Sequence, residues 1–208
     1  MKILALELSS GEGSIAWLNG DSEPFVRSFA NDRKHSGLFF ETLQLCAQRF
    51  GTADLIVVGL GPGSYAGVRI AIAAAVGLRA ASAAKLIGIP SICAIEAGTN
   101  AYRAIGDARR HSFYLAQVSD GRIIEGPALY SAEELKEKLL KSAAPVYATE
   151  PLPQFPQAMR AFPSGRRLAE LGLFQIGEID DTQSLEPIYL REPHITVPKA
   201  ARASAVNP

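Results

Sequence analysis

Three groups of side chains in this sequence could do chemistry. Glu7 ends an apolar run and precedes Ser9-Ser10-Gly11. A carboxylate at a strand end beside a glycine-bearing turn can organise a magnesium ion next to a phosphate. The alternative is a solvated surface charge, the usual fate of acidic side chains. Gly61-Pro62-Gly63-Ser64 breaks a second apolar run and opens a helical one. N–H groups at a helix start face outward, the helix dipole favours an anion there, and glycines permit backbone angles that other residues resist. Glu7, Ser9, Gly61, Gly63 and Ser64 are therefore the candidate nucleotide or anion site. Against it, Pro62 lacks a donor and the loop lacks the lysine of a phosphate-binding P-loop, so a tight strand-to-helix connection is the alternative. Asp107-Ala108-Arg109-Arg110 is a charged corner that reads locally as a solvated turn.

The other reactive side chains form no constellation. His35, His111 and His194 lie far apart, with no pair at the spacing that sets two ligands on one helix face. Cys46 and Cys93 have neither metal-type spacing nor a disulfide framework and read as buried thiols. Gly63-Ser64-Tyr65-Ala66-Gly67 is not a G-x-S-x-G elbow, because the serine directly follows the glycine. No catalytic residue and no metal ligand is assigned. The 21 basic and 21 acidic side chains leave no net charge. A chain that held nucleic acid alone would carry a basic excess, so any such role is shared with another chain. MKILALELSS starts directly as a strand without a signal peptide, and the longest apolar stretch, near Ala71–Leu78, is too short to span a bilayer. A reducing cytoplasm is the expected home, with no membrane association.

The elements that must position these residues follow from periodicity and turn signals. Ile3–Leu8, Ser14–Leu18 and Phe25–Phe29 read as three antiparallel strands, the last two joined at Asn19-Gly20. Ser36 can cap a helix to about Phe50, with Phe39, Leu43, Cys46 and Phe50 on one face. Asp54–Leu60 is a fully apolar strand, Tyr65–Ala84 a helix, Leu86–Ile89 a strand and Ser91–Thr99 a helical stretch. The second half repeats the pattern. Tyr102–Gly106, Ser112–Ser119 and Arg122–Ala128 are strands, and Ser131 with Glu134 makes a capping box for a helix to about Lys141. Val146–Thr149 is a strand, Pro151, Pro153 and Pro156 mark a loop, and Ser164–Gly177 is a helix. By analogy of element order this is an α/β protein of duplicated ribonuclease-H-like fold, the ASKHA or actin-like ATPase architecture, with two βββαβα lobes. Residues 1–100 form the first lobe and 101–191 the second, and the tail 192–208 is expected to be poorly ordered.

The helix after Ser64 carries small residues almost all round, with Arg69 and Arg79 its only charges. A helix apolar on most sides is buried on most sides. One face can pack on its own sheet. The other either meets a partner chain beside the Ser36–Phe50 helix or is covered by the second lobe. On the partner reading the interface comprises Leu38, Thr42, Leu45, Arg69, Ile70, Ala73, Ala74, Gly77 and Ala81.

Five segments together resemble the TsaB (YeaZ) family over residues 1–192. Ile3-Leu4-Ala5-Leu6-Glu7-Leu8-Ser9-Ser10 is similar to its opening strand and D-T-S/T turn. Gly61-Pro62-Gly63-Ser64-Tyr65-Ala66-Gly67-Val68-Arg69-Ile70 is similar to G-P-G-S-F/Y-T-G-L/V-R-I/L. Asp107-Ala108-Arg109-Arg110 with Phe113-Tyr114 is similar to D-A-R-R/K…V-Y, and Leu185–Arg191 to E-P-x-Y-L-R. His35-Ser36 is similar to the family's H-S. Glu7 stands where most members have Asp, and Ala71 and Ala73 where glycine or larger residues are common.

The resemblance implies a non-catalytic scaffold and activator in the complex that forms N6-threonylcarbamoyladenosine in tRNA. It implies pairing with TsaD, the transferase subunit, through the two first-lobe helices, an additional ATPase partner TsaE, and homodimers through the same surface. tRNA would be met only through the complex. No cofactor is expected to bind tightly, and ATP or ADP at an interface shared with the partner is left open. The metal site of TsaD is a histidine pair, H-x-x-x-H, and the matching stretch here, Ser91–Ala97, has no histidine. A stand-alone kinase or ATPase of the same superfamily and a metallopeptidase, as the older M22 glycoprotease-like naming suggests, are the competing readings.

Overall fold

A computed structural model of the chain describes residues 1–20, 22–31, 37–177 and 185–191. The His35-Ser36 helix start, His194 and the tail from 192 lie outside these. The first half runs β1 (Lys2–Glu7), β2 (Glu12–Asn19), β3 (Phe25–Ala30), α1 (Gly37–Phe50), β4 (Leu55–Gly59), α2 (Tyr65–Ala80) and β5 (Lys85–Ile89), then a single 3-10 turn over Ser91–Ala94. The second half runs β6 (Ala101–Asp107), β7 (Phe113–Ser119), β8 (Arg122–Tyr130), α3 (Ala132–Leu140), β9 (Val146–Ala148), β10 (Met159–Arg160) and α4 (Gly165–Gln175). The sheets have the orders β3-β2-β1-β4-β5 and β10-β9-β6-β7-β8. Read from opposite ends, these are the same topology, so the duplication expected from element order is present.

Turn chemistry sets the antiparallel pairs. Asp120 (φ +49°) with Gly121 (φ +71°) turns β7 into β8, the positive angles that a two-residue hairpin asks for, and Gly20 (φ +53°) opens the longer connection from β2 to β3. β4 lies parallel to both β1 and β5, which requires long crossovers; α1, after β2 and β3, lies in the first and α2 in the second. α3 begins with the expected capping box: Glu134 N–H donates to Ser131 Oγ, and Ser131 N–H to Glu134 Oε2. Burial then alternates along β1. Ile3 and Ala5 face the second sheet with Val57 and Ile87, whereas Leu4 and Leu6 face α1 and α2 with Trp17 and Val58. The layers are therefore α1 with α2, first sheet, α4 with the 3-10 turn, second sheet, α3.

Three details differ from the sequence reading. The helical stretch expected over Ser91–Thr99 ends after one turn, because Ile95 is extended (ψ 133°) and Gly98 is left-handed (φ +63°). The strand β10 sits inside the proline-rich loop, so the second lobe has only coil where the first has α2. α4, together with 185–191, returns to the first lobe. Gly165 lies against the backbone of Ile15 and Ala16, Gly172 lies against Val57, and Ile188 N–H donates to Leu60 O at 2.8 Å. A Cβ at Gly165 or Gly172 would meet β2 or β4, so these glycines set the close helix–sheet approach.

Buried Arg103, on β6, secures the end of α3. Its guanidinium donates to Leu139 O (2.9 Å), Ser142 O (2.9 Å) and Ala144 O (2.6 and 3.1 Å). A cation on the free carbonyls of a helix C-terminus is favourable with both the hydrogen-bond deficit there and the dipole. Among the described residues no helix is long and apolar enough to cross a membrane.

Candidate functional site

The end of β1 is closed to solvent. Glu7 is 0% exposed, which overturns the solvated carboxylate considered from sequence. Its Oε1 accepts the Ser9 N–H at 2.6 Å, while its Oε2 has no hydrogen-bond partner. Gly59 makes room for it: a Cβ there would overlap Glu7 Oε2 and crowd Ser91 Oγ. Ser14, directly opposite Glu7 across β1 and β2, also has a buried unpartnered oxygen. Burial pushes the Glu7 carboxyl above its ordinary range, opposed by the polar groups of Ser9 and Ser91 beside it. Glu7 is thus an acid held toward its neutral form inside the fold. Ser91, Gly59 and Ser14 escaped the sequence reading because nothing local marks them; the parallel pairing of β4 with β1 and β5 brings Gly59 and Ser91 to Glu7, and the antiparallel pairing of β1 with β2 brings Ser14.

The glycine loop is packed onto the same strand end. Ser64 N–H donates to Ser9 O at 2.6 Å, Gly61 N–H to Ser91 Oγ at 2.9 Å, and Gly67 N–H to the N-cap Ser64 Oγ at 3.2 Å. A Cβ on Gly63 would overlap Ser9 O and one on Gly67 would overlap Leu8 O, both backbone atoms. The structure brings Glu7, Ser9, Gly61, Gly63 and Ser64 together at one strand end. It turns the N–H groups of Gly61, Ser64 and Gly67 toward this chain's own oxygens.

The nine residues expected at an interface are all at least partly exposed, but they divide in two. Leu38, Leu45, Arg69, Ala73, Gly77 and Ala81 are exposed. Ile70 and Ala74 are half-buried against the α1/α2 core, and Thr42 is half-buried with its hydroxyl donating to Leu38 O at 2.7 Å. On α2, Gly67, Val68, Ala71 and Ala75 face the sheet. Positions 66, 69, 73, 76/77 and 80 face out, the i, i+3/i+4 stripe of a second helical face. Val76 (49% exposed) on that stripe and Phe40 (50%) on α1 were missed, although helical spacing from Ala73 would have found Val76. Gly77 has no atom within 4 Å of where its Cβ would be. α2 ends at Ala80 rather than Ala84, since Ser82 Oγ donates to Leu78 O and accepts Ala84 N–H. Near the inner ends of the helices a cavity of about 220 Å³ is lined by Leu43, Cys46 and Leu78 and floored by Leu4, Trp17 and Ile56. At the start of α2, Arg69 donates to Tyr65 Oη at 2.7 Å, and Tyr65 packs on Tyr189 with centroids 5.5 Å apart.

The charged corner sits at the end of β6. Asp107 Oδ1 accepts the Arg109 N–H at 2.7 Å, and its Oδ2 lies 3.3 Å from Arg109 Nη1. Ser112 N–H donates to Arg109 O and Ala108 N–H to Ser112 O, closing a hairpin. Arg109, Arg110 and His111 all have positive φ, at 64°, 54° and 59°. Each non-glycine residue held there costs roughly 1–2 kcal/mol. All three side chains are exposed. Between the lobes, a cleft of about 610 Å³ is bordered by Gly11, Glu12 and Phe29 on one side and by Arg160 and Phe162 on the other.

Cys46 and Cys93 are buried, with burial pushing their thiols up to about 11 and about 12. Among the described residues no three His, Cys, Asp or Glu side chains come together. Ser91–Ala94, where the sequence lacks the histidine pair, lies wholly inside the interlobe core: Ser91, Ile92, Cys93 and Ala94 are 0–3% exposed.

Comparison with known proteins places this geometry. The family model for TsaD, tRNA N6-adenosine threonylcarbamoyltransferase, matches residues 32–166. An uncharacterized protein of Mycobacterium leprae is 37% identical over 88 residues, 39% of this chain and 23% of that one. One of Mycobacterium tuberculosis is 31% identical over 143 residues, 67% of this chain and 65% of that one. The chain thus spans less than two thirds of the length of these relatives. The solved structure of YeaZ from Pseudomonas aeruginosa superposes with a TM-score of 0.72 at 25% identity, covering 91% of this chain and 99% of that one. The duplicated actin-like fold, the glycine loop and the matched region agree, and the chain belongs to the TsaD family of tRNA N6-adenosine threonylcarbamoyltransferases as a member of its TsaB (YeaZ) type.

Proposed function

We propose that this chain serves the formation of N6-threonylcarbamoyladenosine in tRNA as a docking subunit that holds a TsaD-type transferase through α1 and α2. The carrying observation is the outward face of those helices. Leu38 (44% exposed), Leu45 (40%), Val76 (49%), Ala73 and Gly77 form an apolar, small-residue surface on a chain of otherwise ordinary polarity. Such a face lets a second helix approach closely, and exposed contiguous apolar surface marks association sites. The second lobe packs on the opposite side of the first sheet, so it does not cover this face.

A docking role rather than a catalytic one is supported by two features. The stretch matching the metal pair of TsaD carries no histidine and is buried over Ser91–Ile95, and Glu7 is sealed from solvent with Gly59 and Ser91 packed against it. ATP or ADP, on this reading, binds at the seam with the partner rather than within this chain. Homodimers through the same face compete with the heterodimer, and a TsaE-type ATPase joins the assembled pair.

Gly77→Trp tests the face. It adds bulk where the fold leaves open space, so the monomer keeps its thermal midpoint. Sedimentation velocity with the TsaD-type partner should show the complex lost. An undiminished complex would end the proposal. Ala74 is a poor test site, because it already packs against the core beneath α2.

A further inference from the structure

The turn Arg109–His111 has no role in docking through α1 and α2, and its backbone is unlike the other hairpins of the molecule. The β7–β8 hairpin meets its demand for two positive φ values with Asp120 and Gly121. That Asp-Gly pair suits a hairpin because aspartate and glycine tolerate the left-handed region. At the β6–β7 hairpin the same demand falls on Arg110 and His111, with Arg109 left-handed before them. Neither cation-bearing side chain gains from the conformation within the fold. Arg109 is tied to Asp107, whereas Arg110 and His111 are exposed and, among the described residues, make no ion pair or hydrogen bond through their side chains. Backbone held in a disfavoured region by the surrounding structure is typical of places that present side chains to a ligand.

A second observation lies on the same rim. Arg160 on β10 is level with Ala148, which is level with Ile105 on β6, two residues before Asp107. Arg160 is exposed and stacks over Phe162, 5.1 Å from the ring centroid, at the wall of the interlobe cleft that Phe29 also borders. Of the described acidic groups, Asp107 and Glu150 lie at this end of the sheet, and Glu12 borders the facing wall of the cleft. Asp107 is engaged with Arg109, and Glu150 with the Asp107 N–H and the Thr149 hydroxyl.

We propose that the Arg109–His111 turn, together with Arg160 at the same end of the second sheet, is a contact surface for the phosphate backbone of RNA, here the tRNA substrate. Exposed guanidinium groups at one end of a sheet, with Arg160 at the wall of a cleft that Phe29 and Phe162 border, are the chemistry that recognises a nucleic-acid strand. A net charge of zero fits a local contact of one or two phosphates that supplements binding by the partner. This rests on the tRNA reading above and adds to it the place where this chain touches the substrate.

The test replaces the turn by the residues its backbone prefers, Arg110→Asn with His111→Gly. Because Asn-Gly relieves the left-handed strain, the variant should unfold at higher temperature than the parent. In the assembled complex, fluorescence anisotropy with labelled tRNA over a salt series should show weaker binding. The slope of log affinity against log salt should be shallower by about 1. Arg110→Gln, which keeps the strained turn and removes the charge, should show the same change of slope. Unchanged affinity and slope in both variants would overturn the proposal. So would loss of the complex with the partner, which would assign the turn to a protein contact. If the parent chain fails to assemble at all, the docking reading fails separately, and the same titration on the isolated chain still decides whether the turn meets RNA.

Discussion

Glu7 and Asp107 occupy matching places in the two lobes and behave oppositely. Each ends the first strand of its lobe, and each accepts the N–H of the residue two positions on, Ser9 at 2.6 Å and Arg109 at 2.7 Å. The difference lies in the parallel neighbour. Ala5 faces Val57 and Ile105 faces Ala148, so two residues further Glu7 is level with Gly59 and Asp107 with Glu150. Gly59 admits the Glu7 carboxyl into the sheet's inner face. Glu150 instead takes the Asp107 N–H, and Asp107 stays 37% exposed. One carboxyl turn has become part of a packed interior and the other part of a surface. The duplication preserved the local hydrogen bond and let the dielectric around it diverge.

The contrast can be broken most sharply at Gly59. Gly59→Val would drive a branched side chain into Glu7 and Ser91, and overpacking of that kind costs about 3 kcal/mol or more. Urea denaturation should show it, whereas Glu150→Ala at the matching surface position should move stability by less than about 1 kcal/mol.

The second effect is a pH dependence. The Glu7 carboxyl is raised by burial in the folded chain. Above the ordinary carboxylate range of about 4.3 the unfolded chain has released this proton while the folded chain keeps it. Stability therefore falls as pH rises from that range until the folded carboxyl also ionises, at no more than about 1.4 kcal/mol per pH unit from this one group. Glu7→Gln should remove that component, seen as a flatter plot of thermal midpoint against pH. An identical plot would show that Glu7 ionises normally. The smallest effect belongs to Asp107→Asn. An exposed pair contributes about 0.2–1 kcal/mol, and the loss should shrink further in high salt.

The parts of this arrangement that are local in sequence were legible there. Asn19-Gly20, Asp120-Gly121 and the Ser131–Glu134 box each carry their own signal within four residues, and the two helices over the first sheet follow from 3.6-residue spacing. The Glu7 environment was not legible, because Gly59 and Ser91 reach it only through β4 and β5, far along the chain. The left-handed turn at Arg109–His111 carries no glycine or asparagine to announce it. β10 is two residues long among prolines, too short for any period. The outer stripe of α2 was legible in outline, but which of Ala73 and Ala74 points outward depended on the exact pose of the helix on the sheet.

Threonylcarbamoyladenosine formation in tRNA, reconstituted from the TsaD-type partner and the remaining pathway proteins, tests the docking role most directly. The account predicts product only when this chain is added, and its loss with Gly77→Trp despite an intact monomer. Equal product without the chain, or full activity from the Gly77→Trp variant, would contradict it.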